Sequence, residues 1–270
     1  MIRIHILGAG GAIPLPERSP AAYQVEIDGD RILMDPGPGA LVRLVAAGLA
    51  PRGVDDIGLV LLSHLHPDHC LDLIALLFAV HSPLPMRRDP LVVWGPPGLL
   101  DYLEKLRGVW GRWLEPRHRE LQVAELVPGV PRALPQGGTV RPFCVDHPQD
   151  RLARQCFGYV FTDTAGRVAV FSGDTGPCPA LTAAARGADL LLVECSTTDA
   201  LATPGHMTVG QVAALCAETR PGQTVLTHQY PPAAVLDLAA ELGSPGGTRI
   251  IQARDGTVCG VPPEQGDSPP

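Results

Sequence analysis

The run Ser63-His64-Leu65-His66-Pro67-Asp68-His69 places four ligand-type side chains within six residues. Imidazole and carboxylate are the donors that zinc and similar divalent ions take. The run follows an apolar stretch that reads as a strand, 58–62, and precedes one that reads as a helix, 70–81. Such a turn aims side chains two apart at one ion and the next pair at a neighbouring ion. Solvated loop histidines with an Asp capping the helix are the plain alternative. The rest of the chain argues against it, because other strand ends carry the same residue types.

One predicted strand, 139–145, runs into Asp146-His147. Another, 168–172, runs into Gly173-Asp174-Thr175, and 224–227 runs into His228. In layered α/β proteins, ligands from several strand ends converge at one edge. Two histidines and an aspartate arriving there would complete two ion shells.

The elements needed to position these residues follow from periodicity. Strands are expected at 3–7, 22–27, 31–34, 58–62, 91–94, 139–145, 158–162, 168–172, 190–194, 224–227 and 248–251. Helices are expected at 41–47, 70–81, 97–109, 180–186, 209–219 and 233–242. Asp72 suits a helix N-terminus. Both halves mix strands with helices, which predicts an α/β protein whose sheets carry helices on their outer faces. With 270 residues, 45% of them hydrophobic, and no linker-like stretch, one domain over 1–261 is expected. Residues 262–270 are Pro-rich and polar, and a flexible tail is expected there.

A net charge of −7 disfavours holding a long nucleic acid through its phosphates. Arg112, Arg117 and Arg119 with Trp110 and Trp113 are the best local candidates for such a patch, and the simpler reading is a solvated helix end over buried tryptophans. Seven scattered cysteines form no CxxC pair, so most are expected to be buried small hydrophobes. No apolar run reaches membrane-spanning length, and the opening MIRIHILGAGG lacks a cleavable apolar core. A cytoplasmic protein is expected.

His64-x-His66-x-Asp68-His69 followed in order by His147, Asp174 and His228 resembles the metallo-β-lactamase superfamily. The opening Leu7-Gly8-Ala9-Gly10-Gly11, the turn Asp35-Pro36-Gly37-Pro38-Gly39, and the runs Phe171–Thr175, Gly205-His206-Met207-Thr208 and Thr227-His228 resemble its ribonuclease Z-like and phosphodiesterase branch. The resemblance spans nearly the whole chain. It implies a four-layer αββα sandwich with a two-metal site at its edge. His64, His66 and His147 would hold one ion, Asp68, His69 and His228 the other, and Asp174 would bridge them. Zn2+ is the default for such a set, with Mn2+ or Fe2+ also suited. The nucleophile would be a hydroxide shared by the ions, oriented by Asp68. Glu194 and His206 match a family pair in which the carboxylate holds a proton-donating imidazole. Asp35 reads either as a support for a ligating imidazole or as a plain turn former. Asp146 is a weaker support candidate. Gly8, Gly10 and Gly11 form no dinucleotide fingerprint and would let backbone approach the site. His5, His81 and His118 read as structural.

Long-arm members of the branch insert a tRNA-gripping exosite between the positions matching His147 and Asp174. Here only 148–173 separates them, room for a turn and two strands. The expectation is therefore a phosphodiesterase for small or cyclic phosphodiesters, with RNA disfavoured as a partner. The alternatives are a ribonuclease Z-like tRNA 3′-endonuclease, a hydrolase of another ester (sulfate ester, lactone or thioester), and a metal-binding regulatory module without catalysis. By analogy with the branch a homodimer is expected, with the helix at 70–80 supplying an interface. Residues 83–131 are expected to wall a substrate pocket or form a lid.

Overall fold

The computed structural model describes residues 1–148 and 155–261. The tail expected at 262–270 lies outside the described residues. Two seven-stranded sheets are present among the described residues. The first holds β1 (Ile2–Gly8), β2 (Ala22–Ile27), β3 (Asp30–Met34), β4 (Leu59–Leu61), β5 (Leu91–Gly95) and β6 (Leu121–Glu125), with a C-terminal strand, β14 (Val258–Val261), on the outer side of β1. The second holds β7 (Arg132–Ala133), β8 (Thr139–Cys144), β9 (Phe157–Thr162), β10 (Val168–Phe171), β11 (Leu190–Glu194), β12 (Gln223–Thr227) and β13 (Arg249–Gln252) in reverse chain order.

Each sheet is half antiparallel and half parallel. β14, β1, β2 and β3 are antiparallel neighbours, whereas β3 to β6 run parallel. In the second sheet β7 to β10 alternate and β10 to β13 run parallel. Parallel neighbours need long crossovers, and helices supply them. These are α1 (Ala40–Ala46), α2 (Pro67–His81), α3 (Leu99–Trp110), α4 (Pro179–Ala185) and α5 (Val209–Thr219).

Strand alternation sorts the side chains into three cores. Ile4, Tyr23, Ile32 and Met34 meet Phe157, Tyr159, Phe171 and Leu192 between the sheets. Leu33, Val60 and Val93 face outward onto Leu44, Leu73, Leu77 and Leu99 of the first helical layer. Val170, Leu191 and Leu226 face outward onto Leu181, Val212 and Cys216 of the second. The result is the expected αββα sandwich.

Several elements differ from the sequence reading. The helix expected at 233–242 splits into α6 (Pro231–Ala234) and α7 (Leu238–Leu242), and the Asp237 carboxylate caps the second piece by accepting from Ala240 N at 3.0 Å. Strands β6, β7 and β14 were not expected: Gln122 and Glu125 interrupt the apolar pattern of β6, β7 is two residues long, and Gly260 weakens the pattern of β14. The segment 83–131 is no lid: β5, α3 and β6 are built into the first sheet and its helical layer. Asp72 caps α1 rather than its own helix, accepting from Gly39 N at 3.0 Å and Leu41 N at 2.9 Å. Trp110 and Trp113 are half-exposed instead of buried, while Arg119 is buried and donates to the Ile57 carbonyl at 2.8 Å. A basic patch therefore loses one of its three arginines. Five of the seven cysteines are buried, all seven are free, and Cys144 is exposed. Among the described residues no helix is long and apolar enough to cross a membrane.

Candidate metal centre

The parallel strands deliver their C-terminal ends to one edge. β4 ends at Leu61, and the chain stays extended through His66, at φ −67° and ψ 145°. Pro67 imposes that, because proline pushes its predecessor out of the helical region, and Pro67 then opens α2 at a position where its missing N–H costs nothing. His64 and His66 thus sit two apart on extended chain, and Asp68 and His69 fall in the first helical turn. Asp35, just after β3, and His228, just after β12, both adopt left-handed backbone, φ 46° and φ 51°. Non-glycine residues there are uncommon, and they gather at functional sites.

The ligand atoms form two groups. Those of His64, His66 and His147 all lie within 4.8 Å of one another, and so do those of Asp68, His69 and His228. Asp174 Oδ2 lies between them, 3.8 Å from His64 Nε2, 3.3 Å from His69 Nε2 and 3.1 Å from His228 Nε2. His147 Nε2 is 3.1 Å from His66 Nδ1. His64, His69, His147, Asp174 and His228 are buried, and His66 and Asp68 are half-buried.

These residues fit a pair of divalent ions. Nε2 of His64 and Nε2 of His69 are buried without a hydrogen-bond partner, a costly arrangement for polar atoms in a packed interior. Burial, then the neighbouring charge of His69, pushes His64 well below the usual imidazole range, into the neutral form that ligates. Burial opposes ionisation of Asp174, yet His228 and His69 outweigh it and hold the carboxyl well below its usual value. For His69, burial is outweighed by Asp174 and Asp68, which raise it well above the usual range. The same carboxylates that would draw a dication draw a proton to that nitrogen, so an ion held there would displace the proton.

The far ring nitrogens are anchored, which fixes which nitrogen faces the cluster. His69 Nδ1 donates to Asp35 Oδ2 at 3.0 Å. Asp35 also accepts from Ser63 N at 2.7 Å and from Ser63 Oγ at 2.6 Å, and Ser63 Oγ in turn accepts from His64 Nδ1 at 2.9 Å. One buried carboxylate therefore orients two imidazoles, and Asp35 is both the turn former and the support. His147 Nδ1 donates to the Gly205 carbonyl at 2.8 Å, and His228 Nδ1 to Ser196 Oγ at 2.9 Å. Ser63, Ser196 and Gly205 escaped the sequence reading. All three lie within two residues of residues it did single out, His64, Glu194 and His206. Asp146 is exposed; its N–H donates to Thr175 Oγ1 at 3.1 Å and its carbonyl accepts from Gly176 N at 2.7 Å, so it supports the loop rather than an imidazole.

The strand end of β11 brings in Glu194, 1% exposed. Its two carboxylate oxygens are each 3.1 Å from His206 Nδ1, and it also accepts from Ser196 Oγ and from Met207 N. Burial lowers the His206 imidazole, but the hydrogen bond and charge of Glu194 outweigh it and raise His206 above its ordinary value. The His206 ring stacks on His228 with centroids 5.6 Å apart and meets His147 at 5.0 Å. Tyr230, not anticipated, stands perpendicular to His206 and His228, at 5.7 and 5.5 Å.

All nine residues singled out as ligands or proton donors are thus brought to one edge. Of the three early glycines, Gly11 borders the site, where a Cβ would lie 3.0 Å from His228 Cε1; Gly8 and Gly10 abut the backbone of Pro20 and Arg18 instead. His81 Nδ1 donates to the Glu115 carbonyl at 2.7 Å, His118 lies 3.3 Å from the Pro83 carbonyl, and His5 lies 4.0 Å from Glu26, all outside the cluster.

Comparison with known proteins identifies the family and the fold. A family model described as the beta-lactamase superfamily domain matches residues 30–229. A ribonuclease Z of Methanosarcina mazei is 31% identical over 84% of this chain and 87% of its own. A ribonuclease Z of Mycobacterium sp. (strain KMS) is 32% identical over 87% of this chain and 86% of its own. The metallo-beta-lactamase fold protein YhfI of Bacillus subtilis superposes with a TM-score of 0.79 at 21% identity, covering 96% of this chain and 98% of its own. The chain belongs to the metallo-β-lactamase superfamily, in its ribonuclease Z-like branch, and is a hydrolase of that fold.

Proposed function

We propose that this protein is a dinuclear phosphodiesterase acting on small or cyclic phosphodiesters. His64, His66 and His147 would hold one ion, and Asp68, His69 and His228 the other, with Asp174 shared between them. Zn2+ is the first choice for this donor set, and Mn2+ or Fe2+ also suit it. When bound, two such ions acidify water and neutralise phosphate oxygens.

The chain's own residues do the rest. Asp68, half-buried at the rim of the cluster, accepts a proton from the attacking water and orients it. A P–O bond forms to that water as the P–O bond to the leaving group breaks. His206, kept charged by Glu194, donates its Nε2 proton to the departing oxygen. Asp35 and Ser63 keep His64 and His69 aimed throughout.

The observation that carries the phosphodiester reading is His206, lodged between His147 and His228 and bound by Glu194. A charged donor there suits an anionic, oxygen-leaving substrate. Small substrates are favoured because, within 148–173, the described strands β9 and β10 pair directly through Thr162 and Val168. The tRNA 3′-endonuclease reading is supported by the ribonuclease Z relatives. The free cysteines support a reducing, cytoplasmic setting.

The test is turnover of bis(p-nitrophenyl) phosphate after reconstitution with Zn2+ or Mn2+, beside a precursor tRNA, an aryl sulfate and a lactone. Diester hydrolysis that Asp174→Ala abolishes is expected. Processing of the tRNA 3′ trailer without small-diester turnover would give the endonuclease reading instead.

A further inference from the structure

A cavity of about 680 Å³ opens between the two sheets, at the N-terminal ends of β4 and β5. None of its lining residues belongs to the metal-ligand cluster.

The cavity has a topological cause. β5 turns Val93 toward the helices and Trp94 toward the space between the sheets. The second sheet ends there in β7, only two residues long. Val92 and Trp94 are therefore left partly uncovered. With Leu59 and Leu134 they make an apolar floor.

The mouth carries Arg31, Arg52 and Arg87 against the carboxylates of Asp30 and Asp56. Both carboxylates are engaged. Asp56 pairs with Arg52 at 2.6 Å, and Asp30 accepts from Gln136 N at 2.8 Å. Arg31 reaches Glu26 at 3.4 Å, and Arg87 reaches Asp89 at 3.6 Å and the Asp55 carbonyl at 3.2 Å. Each guanidinium has five N–H donors, so these contacts leave several for a ligand.

We propose that this inter-sheet cavity is a second binding site, for a small anion bearing an aromatic ring, of the mononucleotide class. Its volume falls in the range of about 300–1,000 Å³ common for small-molecule sites, and an apolar floor with a few convergent polar groups is their usual lining. The ring lies on Trp94 and the leucines. The phosphate meets Arg31 and Arg87, whose planar forks suit bidentate binding.

The test uses AMP as probe on the full-length protein as purified, with its metals in place. The chain has three tryptophans, and Trp110→Phe with Trp113→Phe leaves Trp94 as the sole reporter. A saturable change in Trp94 fluorescence is expected. Its half-saturation should rise about tenfold or more in Arg31→Gln and in Arg87→Gln. Adenosine and inorganic phosphate, each lacking half of the ligand, should bind about tenfold more weakly than AMP. Arg87→Lys, which keeps the charge, should fall between wild type and Arg87→Gln and guards against misfolding as the cause. Asp174→Ala should leave the titration unchanged, which separates this site from the metal centre. No Trp94 response up to about 10 mM AMP, a response indifferent to both arginines, or one lost in Asp174→Ala would overturn the proposal.

Discussion

Both carboxylate oxygens of Glu194 lie 3.1 Å from Nδ1 of His206, so a buried acid and a site-facing imidazole act as one unit. The carboxylate raises the imidazole above its ordinary value, against the effect of burial. Glu194→Gln removes that charge, so His206 loses its proton at lower pH than in wild type. The alkaline limb of the kcat profile should move to lower pH, and kcat at its maximum should fall about 10²-fold or more. Profiles of both proteins at equal metal content check this. An unmoved limb would separate His206 from the proton transfer.

Asp35 orients two imidazoles at once, directly at His69 and through Ser63 at His64. Asp35→Ala should weaken metal binding about 10–100-fold, the usual effect of losing such a support. Competition with a chromophoric chelator measures it. Ser63→Ala should show a smaller loss, because Asp35 keeps its bonds to His69 and to Ser63 N.

Tyr230 stands perpendicular to His206 and His228. Burial, then the charges of Asp68, Asp174 and Glu194, push its phenol up to about 12, so it stays neutral at ordinary pH. If the ring's role is to pack the two imidazoles, Tyr230→Phe keeps kcat within about twofold, whereas Tyr230→Ala lowers it about tenfold with metal content unchanged. Equal losses in both variants would assign the work to the hydroxyl.

Asp55 ties the β5 approach to the 53–56 turn, accepting from Met86 N at 2.9 Å and Arg87 N at 3.1 Å. Burial works to raise its carboxyl, but these bonds and the charge of Arg119 hold it below its usual value. A depressed carboxyl stabilises the fold above its unfolded pKa, and that contribution is lost as pH falls through the folded value. Asp55→Asn should therefore melt a few degrees lower at neutral pH, about 2–4 °C. The gap should close as pH falls below the ordinary carboxylate range, as thermal melts across pH would show.

How much of this was legible in the sequence depends on range. The ligand run from His64 to His69 and the order His147, Asp174, His228 are matters of residue type and local spacing, and they were readable without a fold. So were most of the strands, though not β6, and the body of the helix expected at 70–81, which the fold begins one turn earlier at Pro67. The split at Asp237 and the two-residue β7 were not, because short elements rest on tertiary packing rather than on local pattern.

Only the tertiary structure decided which nitrogen of each imidazole faces the cluster. That depends on Asp35, Ser63, Ser196 and the Gly205 carbonyl, which are up to 58 residues from the histidines they hold. It also decided that Asp146 stays outside, that Asp72 serves another helix, and that Trp94 floors a cavity. The physical reason is common to all of them. A side chain's type fixes what bonds it can make, while its partner is fixed by which strands and helices the fold sets beside it.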